Sequence, residues 1–165
     1  MNKKTKNITL YSLGIATIYC ATFFIKVPNQ LDGYANLGDG FILLFSSIVP
    51  PFGAFMIAGV GSAMADLAGG YGHYFFFTLF IKGFQGIIVS LIARKSKSFR
   101  LLFIGYILAS SFMVTGYFFA KWHLKSSFAI ALAGIPGNIA QAIIGLVVAC
   151  LLYPIVKKLY INYTE

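Results

Sequence analysis

Six stretches of the chain are dominated by apolar residues, at approximately 8–26, 38–50, 52–69, 73–93, 101–120 and 128–156, separated by short polar or glycine- and proline-rich breaks. A helix needs roughly 20 mostly apolar residues to cross a bilayer, so each stretch is a candidate span. The second is short and the last is long, which predicts one half-span or tilted helix and one helix with a break. Pro50-Pro51 closes the second stretch, because proline cannot continue a helical hydrogen-bond ladder. Pro136-Gly137 falls inside the last one and predicts an interruption there, of the kind tolerated at membrane depth only where the backbone is buried in protein or lines a cavity. The third stretch carries Gly53, Ala54, Ala58, Gly59, Gly61, Ser62, Ala63 and Ala65. So little side-chain bulk lets neighbouring helices approach closely, and this stretch is read as a central helix. The expected fold is an all-α integral membrane protein of six transmembrane helices, with residues 1–165 forming one domain.

Composition agrees with the pattern. The chain is 59% hydrophobic and 10% charged, with a mean hydropathy of +0.83, against about 25% charged residues in soluble domains. The first apolar run has a basic start in Lys3, Lys4 and Lys6, but it continues to Ile25 without a short h-region or an A-x-A-like site, so it is read as a retained span.

A net charge of +9 raises the question of nucleic acid, and the positions of the basic residues answer it. Nine of the thirteen, Lys3, Lys4, Lys6, Arg94, Lys95, Lys97, Arg100, Lys157 and Lys158, fall on one side of a six-span arrangement. Lys26, Lys121 and Lys125 lie near the opposite ends. The positive-inside rule therefore places both termini in the cytoplasm of a multi-pass plasma-membrane protein, and the basicity reports topology rather than a nucleic-acid partner. Cys20 and Cys150 sit inside spans without metal-ligand spacing and are read as unpaired packing residues.

The candidate chemistry is what remains polar inside the spans, where unpaired charge is costly. Asp39 opens the second span between two glycines, as a helix cap or as a ligand contact. Asp66 stands near the end of the third. Lys82 lies some nine residues into the fourth, roughly 14 Å deep at 1.5 Å per residue. Counting similarly into the last two spans reaches Asn138 and Gln141, and Ser110 and Ser111. These polar groups form either a structural network or a ligand site. The turn Gly69-Gly70-Tyr71-Gly72-His73-Tyr74 adds aromatic groups, and Tyr117 is placed to reach the same depth. No G-x-x-x-x-G-K-[ST] occurs in the chain, so it carries no recognisable nucleotide motor. His73 has no second histidine or cysteine at ligand spacing, and neither a metal nor a cofactor is expected. The polar segment 29–36 is a candidate lid. On the first span Ser12, Ala16 and Cys20 recur every four residues, a small-residue face suited to close helix packing, internal or with a partner subunit.

The series Gly38-Asp39, Gly61-Ser62-Ala63-Met64-Ala65-Asp66-Leu67, Gly69-Gly70-Tyr71 and Ile81-Lys82-Gly83 resembles the substrate-binding S components of energy-coupling factor (ECF) vitamin transporters. The segments Met113-Val114-Thr115-Gly116-Tyr117-Phe118 and Ile135-Pro136-Gly137-Asn138-Ile139-Ala140-Gln141 extend that likeness over nearly the whole chain. It is most similar to the hydroxymethylpyrimidine or pyridoxine branch. The resemblance implies a six-helix protein that captures a scarce vitamin outside and joins one transmembrane coupling protein and two ATPase subunits, reorienting in the bilayer to deliver its cargo. It implies docking through an A-x-x-x-A face on the first helix; of Ser12, Ala16 and Cys20 only Ala16 is the family residue. The site expected for a small flat heterocycle comprises Asp39, Asp66, Tyr71, Tyr74, Lys82, Tyr117, Asn138 and Gln141.

Two other classes compete. An intramembrane aspartic peptidase would need Asp39 and Asp66 close enough to share a proton and activate water. A small six-span scaffold would use the same polar residues as structural glue.

Overall fold

The computed structural model describes residues 2–29, 33–95 and 98–164. Helix α1 (Lys3–Phe23) is capped by the Asn2 side chain, which accepts from the Thr5 amide. It runs into an antiparallel hairpin of β1 (Lys26–Asn29) and β2 (Gly33–Asn36), with Lys26 opposite Asn36 and Val27 opposite Ala35. Then come α2 (Gly38–Ser46), α3 (Pro51–Phe55), a wide π-helical turn at Met56–Val60 and α4 (Gly61–Ala68). After a 3-10 turn at Gly72–Tyr74 the chain finishes with α5 (Phe75–Lys95), α6 (Phe99–Lys125) and α7 (Phe128–Thr164).

The helices close into a ring. α1 packs on α2, α2 on α7, α7 on α6, α6 on α5, and α5 on the α3–π–α4 rod, which returns to α1. Close backbone approaches hold the ring together where glycine removes the side chain. A Cβ on Gly59 would meet the Leu79 carbonyl oxygen at 2.6 Å, and one on Gly145 would meet Asp39 Cβ at 2.8 Å. The third stretch is therefore the closely packed element that its small residues predict. Away from the hairpin the ring is filled by Leu43, Leu44, Val89, Leu102, Tyr106 and Ala149, while Ile18, Ile42, Ala54 and Ile57 fill the seam beside α1.

Among the described residues four helical stretches are long and apolar enough to cross a membrane: Pro51–Ala68, Gly72–Lys95, Phe99–Lys125 and Phe128–Asn162. The chain is an integral membrane protein, almost entirely helical. Of the other two expected spans, α1 has 21 residues but a strongly polar first third, and α2 has nine, about 14 Å of rise against a hydrocarbon core of about 30 Å.

Two expectations are corrected. The last helix is not interrupted at Pro136-Gly137: α7 runs unbroken through 37 residues with Pro136 and Pro154 inside it. Proline removes a single donor from the ladder, and both Pro136 and Gly137 lie on the outside of the ring, where a broken backbone would find neither protein nor cavity to satisfy it. The irregular turn falls instead in the third stretch, at Met56–Val60, and its extra residue shifts the register of everything after it, Ser62 and Asp66 included. Segment 29–36 is also not simply a loop, since Asn29 and Gly33–Asn36 belong to the hairpin; residues 30–32 lie outside the described residues. That hairpin is the exception to the all-α expectation.

Candidate functional site

A pocket opens into the hairpin end of the ring, with about 540 Å³ of non-atom space, part of it open to the surroundings. Seven of the eight residues singled out in the sequence line it: Asp66, Tyr71, Tyr74, Lys82, Tyr117, Asn138 and Gln141. Asp39 does not; it lies behind the pocket wall, 1% exposed.

The position of Asp39 decides how charge is arranged. Lys82 Nζ donates to both of its carboxylate oxygens at 2.8 Å, and Gln85 Nε2 donates to Oδ1 at 2.9 Å. Gln141 Nε2 donates to Oδ2. With Lys82 itself 3% exposed, this is a buried ion pair whose remaining acceptor sites are filled by amides, the condition under which such a pair is tolerated. Asp39 thus acts as neither a helix cap nor a pocket acid. It anchors the lysine that α5 carries into the pocket.

The hairpin is tied to the same network. Gln141 Oε1 accepts from the Asn36 backbone amide at 3.2 Å and from Asn36 Nδ2 at 3.3 Å, while Asn36 Oδ1 accepts from the Gly38 amide at 2.9 Å. Two residues earlier on the strand, and so on the same face, Tyr34 donates its phenol proton to Asp66. Burial, and then the Asp66 charge, hold the Tyr34 phenol well above its ordinary pKa, so it stays protonated as a donor.

Aromatic groups make up much of the remaining wall. The Tyr34 and Tyr71 rings lie 4.9 Å apart and those of Tyr74 and Tyr117 6.5 Å apart. The Tyr117 hydroxyl is 3.0 Å from Thr78 Oγ1, and Lys82 Nζ stands 5.3 Å over the Tyr117 ring. Lys121, 6% exposed, lines the pocket from α6; the sequence alone reads it as a topology marker.

Three of the lining residues missed in the sequence share a signal. Ser62 precedes Asp66 by four, Thr78 precedes Lys82 by four, and Lys121 follows Tyr117 by four, so each occupies the helix face of a residue already singled out. Ser110 and Ser111 are at a similar count into α6 but line no part of the pocket. Asp39 and Asp66 are held by different partners, so they do not form the proton-sharing pair that a peptidase would need. On α1, Ser12, Ala16 and Cys20 are all exposed, and the stripe faces outward from the ring rather than into it.

Comparison with known proteins fits this geometry. The family model for the ECF-type riboflavin transporter S component matches residues 2–158. The chain belongs to this family of ECF S components. It is 29% identical over 159 residues to the thiamine precursor transporter HmpT of Lactococcus lactis subsp. cremoris (strain MG1363), covering 95% of this chain and 91% of HmpT. It is also 33% identical over 138 residues to an uncharacterised protein of Pyrococcus woesei, covering 83% of this chain and 92% of that protein. As an ECF S component the protein is a vitamin-uptake subunit of a membrane transporter and not an enzyme. The cargoes named by the matches differ, riboflavin for the family model and a thiamine precursor for HmpT.

Proposed function

We propose that the protein captures a small aromatic heterocycle of the hydroxymethylpyrimidine or pyridoxine class from outside the cell. It spans the plasma membrane six times, counting α1 and the short α2, with both termini in the cytoplasm. The cargo occupies the hairpin-end pocket, and the S component delivers it inward together with a transmembrane coupling protein and two ATPase subunits.

The observation that carries the cargo assignment is the internal neutralisation of Lys82 by Asp39. It leaves a pocket walled by tyrosines, with Asp66 and Lys121 as its other charged groups and amide groups at Asn138 and Gln141. Flat rings stack on tyrosine faces, and a few polar anchors fix their orientation. Polyanionic cargoes favour arginine clamps, and Arg94 and Arg100 lie at the far ends of α5 and α6 from this pocket. HmpT is named as a transporter of a thiamine precursor, which supports a small vitamin precursor as cargo.

Calorimetry on the purified protein with hydroxymethylpyrimidine, pyridoxine, thiamin, biotin and riboflavin tests the proposal. Tightest binding is expected for hydroxymethylpyrimidine or pyridoxine. Tightest binding of riboflavin would overturn the cargo assignment, and binding of none of the five would favour a structural role.

A further inference from the structure

Thr22 and Ser62 bring to the pocket hydroxyls that have no hydrogen-bond partner among the described residues. Thr22 Oγ1, on α1, and Ser62 Oγ, on α4, both line it, are 3% and 1% exposed, and make no hydrogen bond within the protein. Buried polar groups are almost always satisfied, and an exception calls for an explanation. A serine in a helix ordinarily has an alternative at hand in the carbonyl four residues back, and Ser62 does not take it. Thr22 is admitted to its position because Gly38 has no side chain: a Cβ there would collide with Thr22 Oγ1.

The two hydroxyls belong to one wall. α1 packs against α4, and Ser62 lies one helical turn before Asp66, on the same face. The wall therefore offers two hydroxyls, each able to donate and accept, beside one carboxylate that only accepts. Across the pocket stand Lys82, Asn138 and Gln141, of which Lys82 and Gln141 are engaged with Asp39.

We propose that Thr22 and Ser62 are specificity-determining residues that bind a primary alcohol of the cargo, one hydroxyl donating to the alcohol oxygen and the other accepting a hydrogen bond from the alcohol O–H. Asp66, one turn along, takes a donor on the neighbouring ring position. This proposal rests on the reading of the pocket as the cargo site, and it narrows the cargo to a ring bearing a hydroxymethyl group beside an amino or hydroxyl substituent. An alcohol satisfies both orphaned groups at once, whereas a methyl in its place leaves them buried and unpaired. Selection of this kind, by a site built to hydrogen-bond one hydroxyl, discriminates strongly against the analogue lacking it.

The test is calorimetry on full-length wild type, Ser62→Ala, Thr22→Val and Thr22→Ser, with hydroxymethylpyrimidine and with its analogue carrying methyl in place of hydroxymethyl. Ser62→Ala and Thr22→Val should each weaken binding of the alcohol by about tenfold and leave binding of the methyl analogue unchanged, while Thr22→Ser retains wild-type affinity. Unchanged affinity for the alcohol in both hydroxyl-deleting variants, or equal losses for both ligands, would overturn the proposal. If Thr22→Val does not fold, Ser62→Ala decides alone. If the wild type binds pyridoxine or riboflavin instead, the cargo assignment is revised separately and the variants are titrated against that vitamin. The wall is then supported by a tenfold loss and overturned by none, and a wild type that binds no member of the panel overturns both readings.

Discussion

Lys82 and Asp39 are 43 residues apart in the chain and form a bidentate ion pair, with both Nζ to oxygen distances at 2.8 Å. The pair crosses the ring from α5 to α2, and Gln141 joins it from α7. Three of the ring's walls are thereby locked at the floor of the pocket.

Removing one member should be worse than removing both. A buried charge stripped of its partner costs about 3–5 kcal/mol, whereas replacing a whole pair with apolar residues of similar volume is often neutral. Asp39→Leu and Lys82→Met are each expected to lower the thermal midpoint of the detergent-solubilised protein sharply, and the double variant to recover most of it. Additive losses in the double variant would show that the two side chains stabilise the fold independently.

The proposed topology makes a separate prediction. In a background with Cys20 and Cys150 replaced by serine, a cysteine at position 96 should resist an impermeant thiol reagent applied to intact cells and react once the membrane is opened. The motive is the nine-to-three division of basic residues between the two sides. Labelling from outside would reverse the orientation and turn the pocket toward the cytoplasm.

We propose that docking on the coupling protein uses the outward face of α1. Ala16 is exposed there beside Cys20, along a groove that also includes Thr17, Phe24 and Phe41. A tryptophan at Ala16 meets nothing inside the ring, so Ala16→Trp should leave folding and cargo binding intact while blocking close helix approach by a partner. The measurement is co-purification with the coupling protein, and an undiminished yield of complex would remove α1 as the docking helix.

What was legible in the sequence follows from contrast. A lysine, two aspartates, an asparagine and a glutamine stand out in apolar runs because membrane depth makes each of them costly, and four of these five, all but Asp39, line one pocket together with the three tyrosines chosen as aromatic groups. Hydroxyls stand out less. Ser62 and Thr78 pass for packing residues until their four-residue spacing from Asp66 and Lys82 is noticed. The pairing of Lys82 with Asp39 rather than Asp66 was not legible, because it depends on how α2 and α7 cross at Gly40 and Gly145. Tyr34 and Asn36 were hidden in a segment whose polar, turn-rich composition suggests a loop, although their two-residue spacing puts both on one face of a strand. Proline at 136 misled because a helix surrounded by apolar side chains tolerates one missing hydrogen bond more readily than an open backbone.

Asn138 and Gln141 are one turn apart on α7 and both line the pocket, yet their substitutions should separate. Gln141 Nε2 serves Asp39, and its Oε1 serves Asn36 of the hairpin, so Gln141→Ala removes the contact between the lysine anchor and β2 whether or not cargo is present. Asn138 lines the pocket, half-buried, and is free of that network. Leaving a buried partner unsatisfied costs about 1–3 kcal/mol, which corresponds to roughly 5- to 150-fold in affinity. Asn138→Ala is therefore expected to weaken cargo binding within that range and leave the thermal midpoint of the cargo-free protein unchanged. Gln141→Ala should lower both. Calorimetry paired with thermal unfolding of each variant distinguishes the two, and unchanged cargo affinity in both Asn138→Ala and Lys82→Ala would move the binding site away from this pocket.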